Sequence, residues 1–199
     1  MLSRLLGCAI AAVNLVTATC VEAQPNRSSA ANRPVQTAAV GYSPWSGFLA
    51  IFTTVPRTIV SYPANHKPGT IIVSTRERRL YLVLGNGQAM KYGVGVGREG
   101  FTWSGVTTVS AKREWPDWTP PPEMLRRRPD LPRHMAGGLD NPLGARALYL
   151  GGTMYRIHGS NEPHAVGTAN TSGCIRLTND DVIDLYNRVK VGATVVVQR

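Results

Sequence analysis

From Pro56 onward, short apolar runs alternate with turn residues. Residues 58–62, 70–74 and 80–84 are runs of branched and aromatic side chains, the composition that suits strands. Pro68-Gly69 and the charged Arg76-Glu77-Arg78 separate them as turns. Gly85-Asn86-Gly87 predicts a tight hairpin, so the chain returns as a strand over residues 88–96, interrupted at Gly93 and Gly95. Residues 97–105 read as a glycine-punctuated loop and 106–111 as a further strand. Residues 147–150 and 153–157 form a hairpin around Gly151-Gly152, which ends at His158. Only near the C-terminus does the period change. Val182, Leu185, Tyr186 and Val189 recur at helical spacing, Thr178 is a good N-cap with Asp180 and Asp181 at the positive end of the helix, and Gly192 ends it. Residues 194–197 close the chain as a strand. The pattern predicts a mainly β domain, a β-sheet or sandwich with one helix in the C-terminal region.

One stretch breaks the rhythm. Residues 112–146 carry Pro116, Pro120, Pro121, Pro122, Pro129, Pro132 and Pro142, a density that leaves room for at most one helical turn, over residues 123–128. A long irregular insertion in a compact domain is usually functional, as a lid or binding loop. Trp115, Trp118 and Arg126-Arg127-Arg128 lie in it.

The N-terminal region has a different texture. Arg4 precedes an uncharged, largely apolar run over residues 5–20, and Val21-Glu22-Ala23 reads as a small-residue cleavage site. Residues 1–23 are therefore expected to be an export signal. Residues 24–57, rich in Ala, Ser, Asn, Pro and Thr, read as a tether, with an apolar island at residues 45–52. Residues 58–199 remain as the folded domain. The formal net charge is +10. In an exported chain with no nucleic-acid motif, that charge points to anionic envelope polymers rather than to nucleic acid.

Export gives the cysteines their meaning. Cys8 and Cys20 fall in the signal, which leaves Cys174 alone. An unpaired thiol in an exported protein is buried and inert, metal-bound, or reactive. His158, His164 and Cys174 lack the close-spaced ligand pair of a zinc site. Gly95-x-Gly97-x-x-Gly100 has the form of a dinucleotide fingerprint, but no βαβ unit surrounds it. A buried, inert thiol and a reactive one remain, and the histidine and Gly-Cys turn close by in sequence favour the reactive one. His158 ends a strand, and the loop over residues 161–170 returns the chain to Cys174. An imidazole beside a thiol is a standard activation, and Gly173 permits a turn that could aim the Gly173 and Cys174 N–H groups at an oxyanion.

These residues carry a family resemblance. Tyr155-Arg156-Ile157-His158-Gly159-Ser160-Asn161-Glu162-Pro163 and Ser172-Gly173-Cys174-Ile175-Arg176-Leu177 resemble the signature of the L,D-transpeptidases, the YkuD-type or ErfK/YbiS-type domain. Pro68-Gly69-Thr70-Ile71, residues 141–150 and Asn179-x-Asp181-Val182 agree with it. The resemblance implies a cysteine acyltransferase of the cell wall, located in the periplasm or at the wall. It would act on peptidoglycan stem peptides without cofactor or metal, and carbapenems would acylate its thiol. Cys174 is implied as the nucleophile, and His158 as base and later acid, oriented by the Gly159 carbonyl. Thr171 and Ser172 occupy a pair where relatives often have a histidine after the hydroxyl residue, and Gly173 completes the turn. Arg176 and Arg156, with Thr171 and Asn161, are the expected substrate contacts, since arginine suits carboxylates. The acyl acceptor stays open between a second stem amine, a lysine of an outer-membrane lipoprotein, and water. The intact Cys–His pair argues against a non-catalytic wall-binding module. The sequence is silent on oligomeric state.

Overall fold

The computed structural model describes residues 55–63 and 65–199. The expected signal, most of the tether and the 45–52 island lie outside them. Among the described residues there are, beside one helix of substantial length, eleven strands. They are β1 (Thr58–Ser61), β2 (Ile71–Ser74), β3 (Arg79–Gly85), β4 (Gln88–Gly93), β5 (Val96–Gly97), β6 (Gly105–Glu114), β7 (Arg146–Leu150), β8 (Arg156–His158), β9 (Ala169–Thr171), β10 (Ile175–Arg176) and β11 (Thr194–Gln198). Nine of them make one sheet in the order β1-β4-β3-β2-β11-β6-β7-β8-β10, and β5 pairs with β9 separately. The expected mainly β architecture is what forms.

The first half of the sheet follows the local pattern closely. β3 and β4 make the hairpin expected at Gly85-Asn86-Gly87, with Leu82 opposite Met90, and β2 lies antiparallel to β3. All four residues of β2 are buried. Such a strand must be central, and β11 covers its other edge in parallel, with Val195 opposite Ile71. Long-range pairing shifted several boundaries. The strand expected over 88–96 ends at Gly93. Gly95 instead exchanges backbone hydrogen bonds with Arg176 (2.8 and 2.9 Å). The strand expected to end at Ala111 runs on to Glu114, because β7 pairs with it as far as Arg146. The strand expected over 153–157 begins only at Arg156.

The longer helix of the described residues, α2 (Asn179–Arg188), is capped by the Thr178 side chain, which accepts from Asp181 N (3.2 Å). Its apolar stripe, Val182 and Leu185, is fully buried in the core with Leu148, Ile157, Ile175 and Leu177. Its last turn is capped from outside. The Lys112 ammonium donates to the Tyr186 and Val189 carbonyls and lies 4.0 Å from the centre of the Tyr186 ring. A cation at a helix C-terminus is favourable. At the other end, Arg57 reaches Asp181 (3.2 Å).

The proline-rich insertion is organised rather than loose. It contains a short helix, α1 (Pro122–Arg127), with proline in its first turn where no N–H is needed. Trp118 and Met135 pair through both backbone groups, each 2.8 Å long. Asn141, 1% exposed, is its hub. Its amide donates to the Pro116 and Ala136 carbonyls (3.1 and 3.0 Å), and its oxygen accepts from Leu143 N (2.9 Å).

Candidate active site

The strand register brings the sequence candidates together. β10 runs parallel to β8, with Ile175 opposite Ile157 and Arg176 opposite His158. Side chains alternate across a strand. Ile157, Ile175 and Leu177 therefore point into the core. Arg156, His158 and Arg176 share the other face, with Cys174 one residue before β10. The Arg156 N–H and guanidinium both face the Cys174 sulfur. The row continues into β7, where Tyr149 lies opposite Arg156 and its ring packs 5.1 Å from the guanidinium.

His158 is 4% exposed. Its Nδ1 lies 2.7 Å from the carbonyl oxygen of Gly159. A carbonyl can only accept, so the hydrogen is on Nδ1 and Nε2 carries a free lone pair. Burial, then the positive charges of Arg176 and Arg156, hold the imidazole down to about 4 against the pull of that carbonyl. Cys174 is half-buried. Burial pushes its thiol above the ordinary value, while the Arg156 N–H and guanidinium and the Arg176 charge pull the other way. At neutral pH the resting site thus holds a neutral imidazole and a neutral thiol. Two neutral groups of this kind can react by general-base activation, without a standing thiolate–imidazolium pair.

The turn before the cysteine is closed by Thr171, which is buried. Its hydroxyl donates to the Cys174 carbonyl (2.7 Å) and accepts from Gly173 N (3.1 Å). The Gly173 N–H is thereby engaged, which corrects the expectation that it aims at an oxyanion. The Thr171 hydroxyl likewise spends its bonds on the turn. Gly173 has φ +109°, and a Cβ there would collide with the Tyr155 ring. That ring stacks on Trp103 (4.8 Å, 7°), whose Nε1 donates to the Gly173 carbonyl (3.0 Å). Sequence reading missed Trp103 and carried Tyr155 only as a member of the signature run, with no role. Trp103 lies in the stretch read only as a glycine-punctuated loop, with nothing local to aim it at the cysteine turn.

Among the other candidates, Arg176 is 3.5 Å from Glu162 Oε2. The Nε atoms of Arg156 and Arg176 are buried without a partner. Buried guanidinium N–H groups left open in this way suit an anionic or carbonyl-bearing ligand. Asn161 points away from the thiol row in its bonding, its amide donating to the Asp140 carbonyl (3.0 Å) at the end of the insertion. Ser172 is half-buried in the same turn. His134 lies 3.6 Å from Asp117 in the insertion.

Comparison with known proteins shows the family. Residues 68–197 match the model of the YkuD family, the L,D-transpeptidase catalytic domain. The probable L,D-transpeptidase ErfK/SrfK of Escherichia coli (strain K12) is 37% identical over 151 residues, which cover 71% of this chain and 47% of that protein. The probable L,D-transpeptidase YcfS of the same organism is 38% identical over 135 residues, covering 63% and 42%. The chain thus spans about half the length of the curated relatives it matches. The solved L,D-transpeptidase from Mycobacterium smegmatis superposes with a TM-score of 0.53 at 18% identity, over 65% of this chain and 58% of that one, a likeness of fold. The chain belongs to the L,D-transpeptidase family and contains its YkuD-type catalytic domain.

Proposed function

We propose that the protein is an exported peptidoglycan L,D-transpeptidase with Cys174 as nucleophile and His158 as general base. The observation that supports this most is the pairing of β8 with β10. It sets the thiol on the same sheet face as an imidazole whose Nδ1 is bound to the Gly159 carbonyl and whose Nε2 is free. In the first half-reaction, Nε2 takes the Sγ proton as the sulfur attacks the carbonyl carbon at the L-centre of a tetrapeptide stem. The Cys174 N–H stabilises the tetrahedral oxyanion. Collapse breaks the amide bond, and the His158 imidazolium returns the proton to the departing D-alanine amine, leaving a thioester on Cys174. In the second half-reaction an amine of another stem attacks the thioester and His158 takes its proton. Collapse of that intermediate makes a 3→3 cross-link, and the thiol is restored with the proton held by His158.

Arg156 and Arg176 flank the sulfur with unpartnered N–H groups and take the carboxylate and carbonyl oxygens of the donor stem. The same acyl-enzyme serves a carboxypeptidase if water is the acceptor, and a ligase if a lipoprotein lysine is. The decisive experiment incubates the protein with a purified disaccharide-tetrapeptide, with and without an added amine, and follows protein and products by mass spectrometry. The expected result is an acyl adduct on Cys174, a cross-linked product, and neither in Cys174→Ala. Cross-linking retained by Cys174→Ala overturns the assignment.

A further inference from the structure

We infer that Asn179, the first residue of α2, is a positioning residue for the general base and sets the tautomer of His158. Its Oδ1 accepts from two backbone N–H groups on different loops, Ala145 (2.9 Å) and Ser160 (3.2 Å). The first is the junction between the proline-rich insertion and β7. The second immediately follows the Gly159 carbonyl that binds His158 Nδ1 (2.7 Å). The Gly159 N–H is held as well, donating to the Arg146 carbonyl (3.0 Å). The peptide units that present the Gly159 carbonyl are therefore fixed at one end by β7 and at the other by the side chain of a helix terminus.

The clamp explains two glycines. A Cβ on either Gly144 or Gly159 would collide with Asn179 Oδ1, so both chains approach this one oxygen as closely as they do only because they lack side chains there. The helix itself is anchored. Thr178 caps it, and Val182 and Leu185 are fully buried, so Oδ1 is held by the core rather than by a mobile loop. Groups that orient a catalytic imidazole matter through its tautomer. With the hydrogen moved to Nε2, His158 has no lone pair to offer the thiol.

This inference rests on the reading above only in making His158 the base, and its test separates the two. Asn179→Ala removes the acceptor. Asn179→Asp keeps an acceptor oxygen at the same place and adds a negative charge that suits a helix N-terminus. The tautomer of His158 is read by nitrogen-resolved histidine NMR in the substrate-free protein, alongside thermal unfolding and the rate of acylation by the tetrapeptide donor. The unsubstituted protein and Asn179→Asp are expected to show the Nδ1–H form alone. Asn179→Ala is expected to show a mixture and to be acylated about ten- to hundred-fold more slowly. A folded Asn179→Ala that keeps the pure Nδ1–H form overturns the inference. If Asn179→Ala does not fold, Asn179→Asp decides: a pure Nδ1–H form supports the clamp, and a mixed one overturns it. A locked tautomer with no adduct on Cys174 would leave the clamp standing and remove the transpeptidase reading. Adduct formation together with an unchanged tautomer in Asn179→Ala does the reverse.

Discussion

The two faces of β8 and β10 make the most instructive comparison in the molecule. They are the same strands, and both faces are largely withdrawn from water. On one, Ile157, Ile175 and Leu177 are at most 1% exposed and pack with Leu148, Val182 and Leu185. On the other, Arg156, His158, Cys174 and Arg176 stand side by side, with two guanidinium N–H groups left unpartnered. The apolar face gains free energy from burial. The polar face pays for it, because desolvation disfavours the charged forms of both His158 and Cys174. The core side thus supplies the rigidity with which the opposite side holds an imidazole and a thiol, both neutral, in a fixed relation.

Substituting neighbours on opposite faces is the strongest way to break this comparison. His158→Gln should slow acylation of Cys174 by roughly 10²–10⁴-fold while the melting temperature stays close to that of the unsubstituted protein; acylation kinetics and calorimetry read the two separately. If His158→Gln instead unfolds the domain and leaves the rate per folded molecule intact, the division between the faces is wrong. Ile157→Ala, one residue away, should do the opposite. It should cost about 2–5 kcal/mol of stability in a urea titration, with the rate per folded molecule little changed.

The pH dependence sharpens the same contrast at smaller amplitude. His158 titrates near 6.5 when unfolded and at about 4 in the native site. Between those values the unfolded chain binds the extra proton. Its contribution to stability is therefore complete above about 6.5 and is lost as pH falls through that window toward 4. Urea titrations of the unsubstituted protein and His158→Gln at pH 7 and pH 5 should show this loss only in the former. The acid limb of the acylation rate should likewise fall near pH 4 rather than near 6.5. A limb near 6.5 would mean that His158 is solvated during the reaction.

Much of this was legible in the sequence. Turn residues and branched runs marked the β2–β3–β4 ladder, because hairpin pairing is local and Gly85-Asn86-Gly87 specifies its own turn. Thr178 and the Val182–Leu185 stripe marked α2. Cys174 stood out as the thiol left over in a chain read as exported. The Thr171–Gly173 brace, the Trp103–Tyr155 stack and the bonding of Asn179 Oδ1 to Ala145 and Ser160 were not legible, whereas the Gly159 carbonyl was expected beside His158 from the family resemblance. Asn141 and Asn179 were visible only as members of a familiar motif, with no role attached, because an asparagine that bonds backbone far away in sequence looks like any turn residue locally.

The sequence by itself determined the strand that ends at His158, the glycine that lets the cysteine turn form, and a loop that returns the chain from that histidine to one thiol. Only the tertiary structure decided that β10 pairs with β8 in the register that puts both on one face. It also decided that the Gly159 carbonyl takes Nδ1 of His158, and that burial disfavours the charged forms of both the imidazole and the thiol. Register between distant strands and the dielectric around a side chain are properties of the assembled packing. No local pattern encodes them, since a slip of one residue would carry His158 to the core face with every alternating position unchanged.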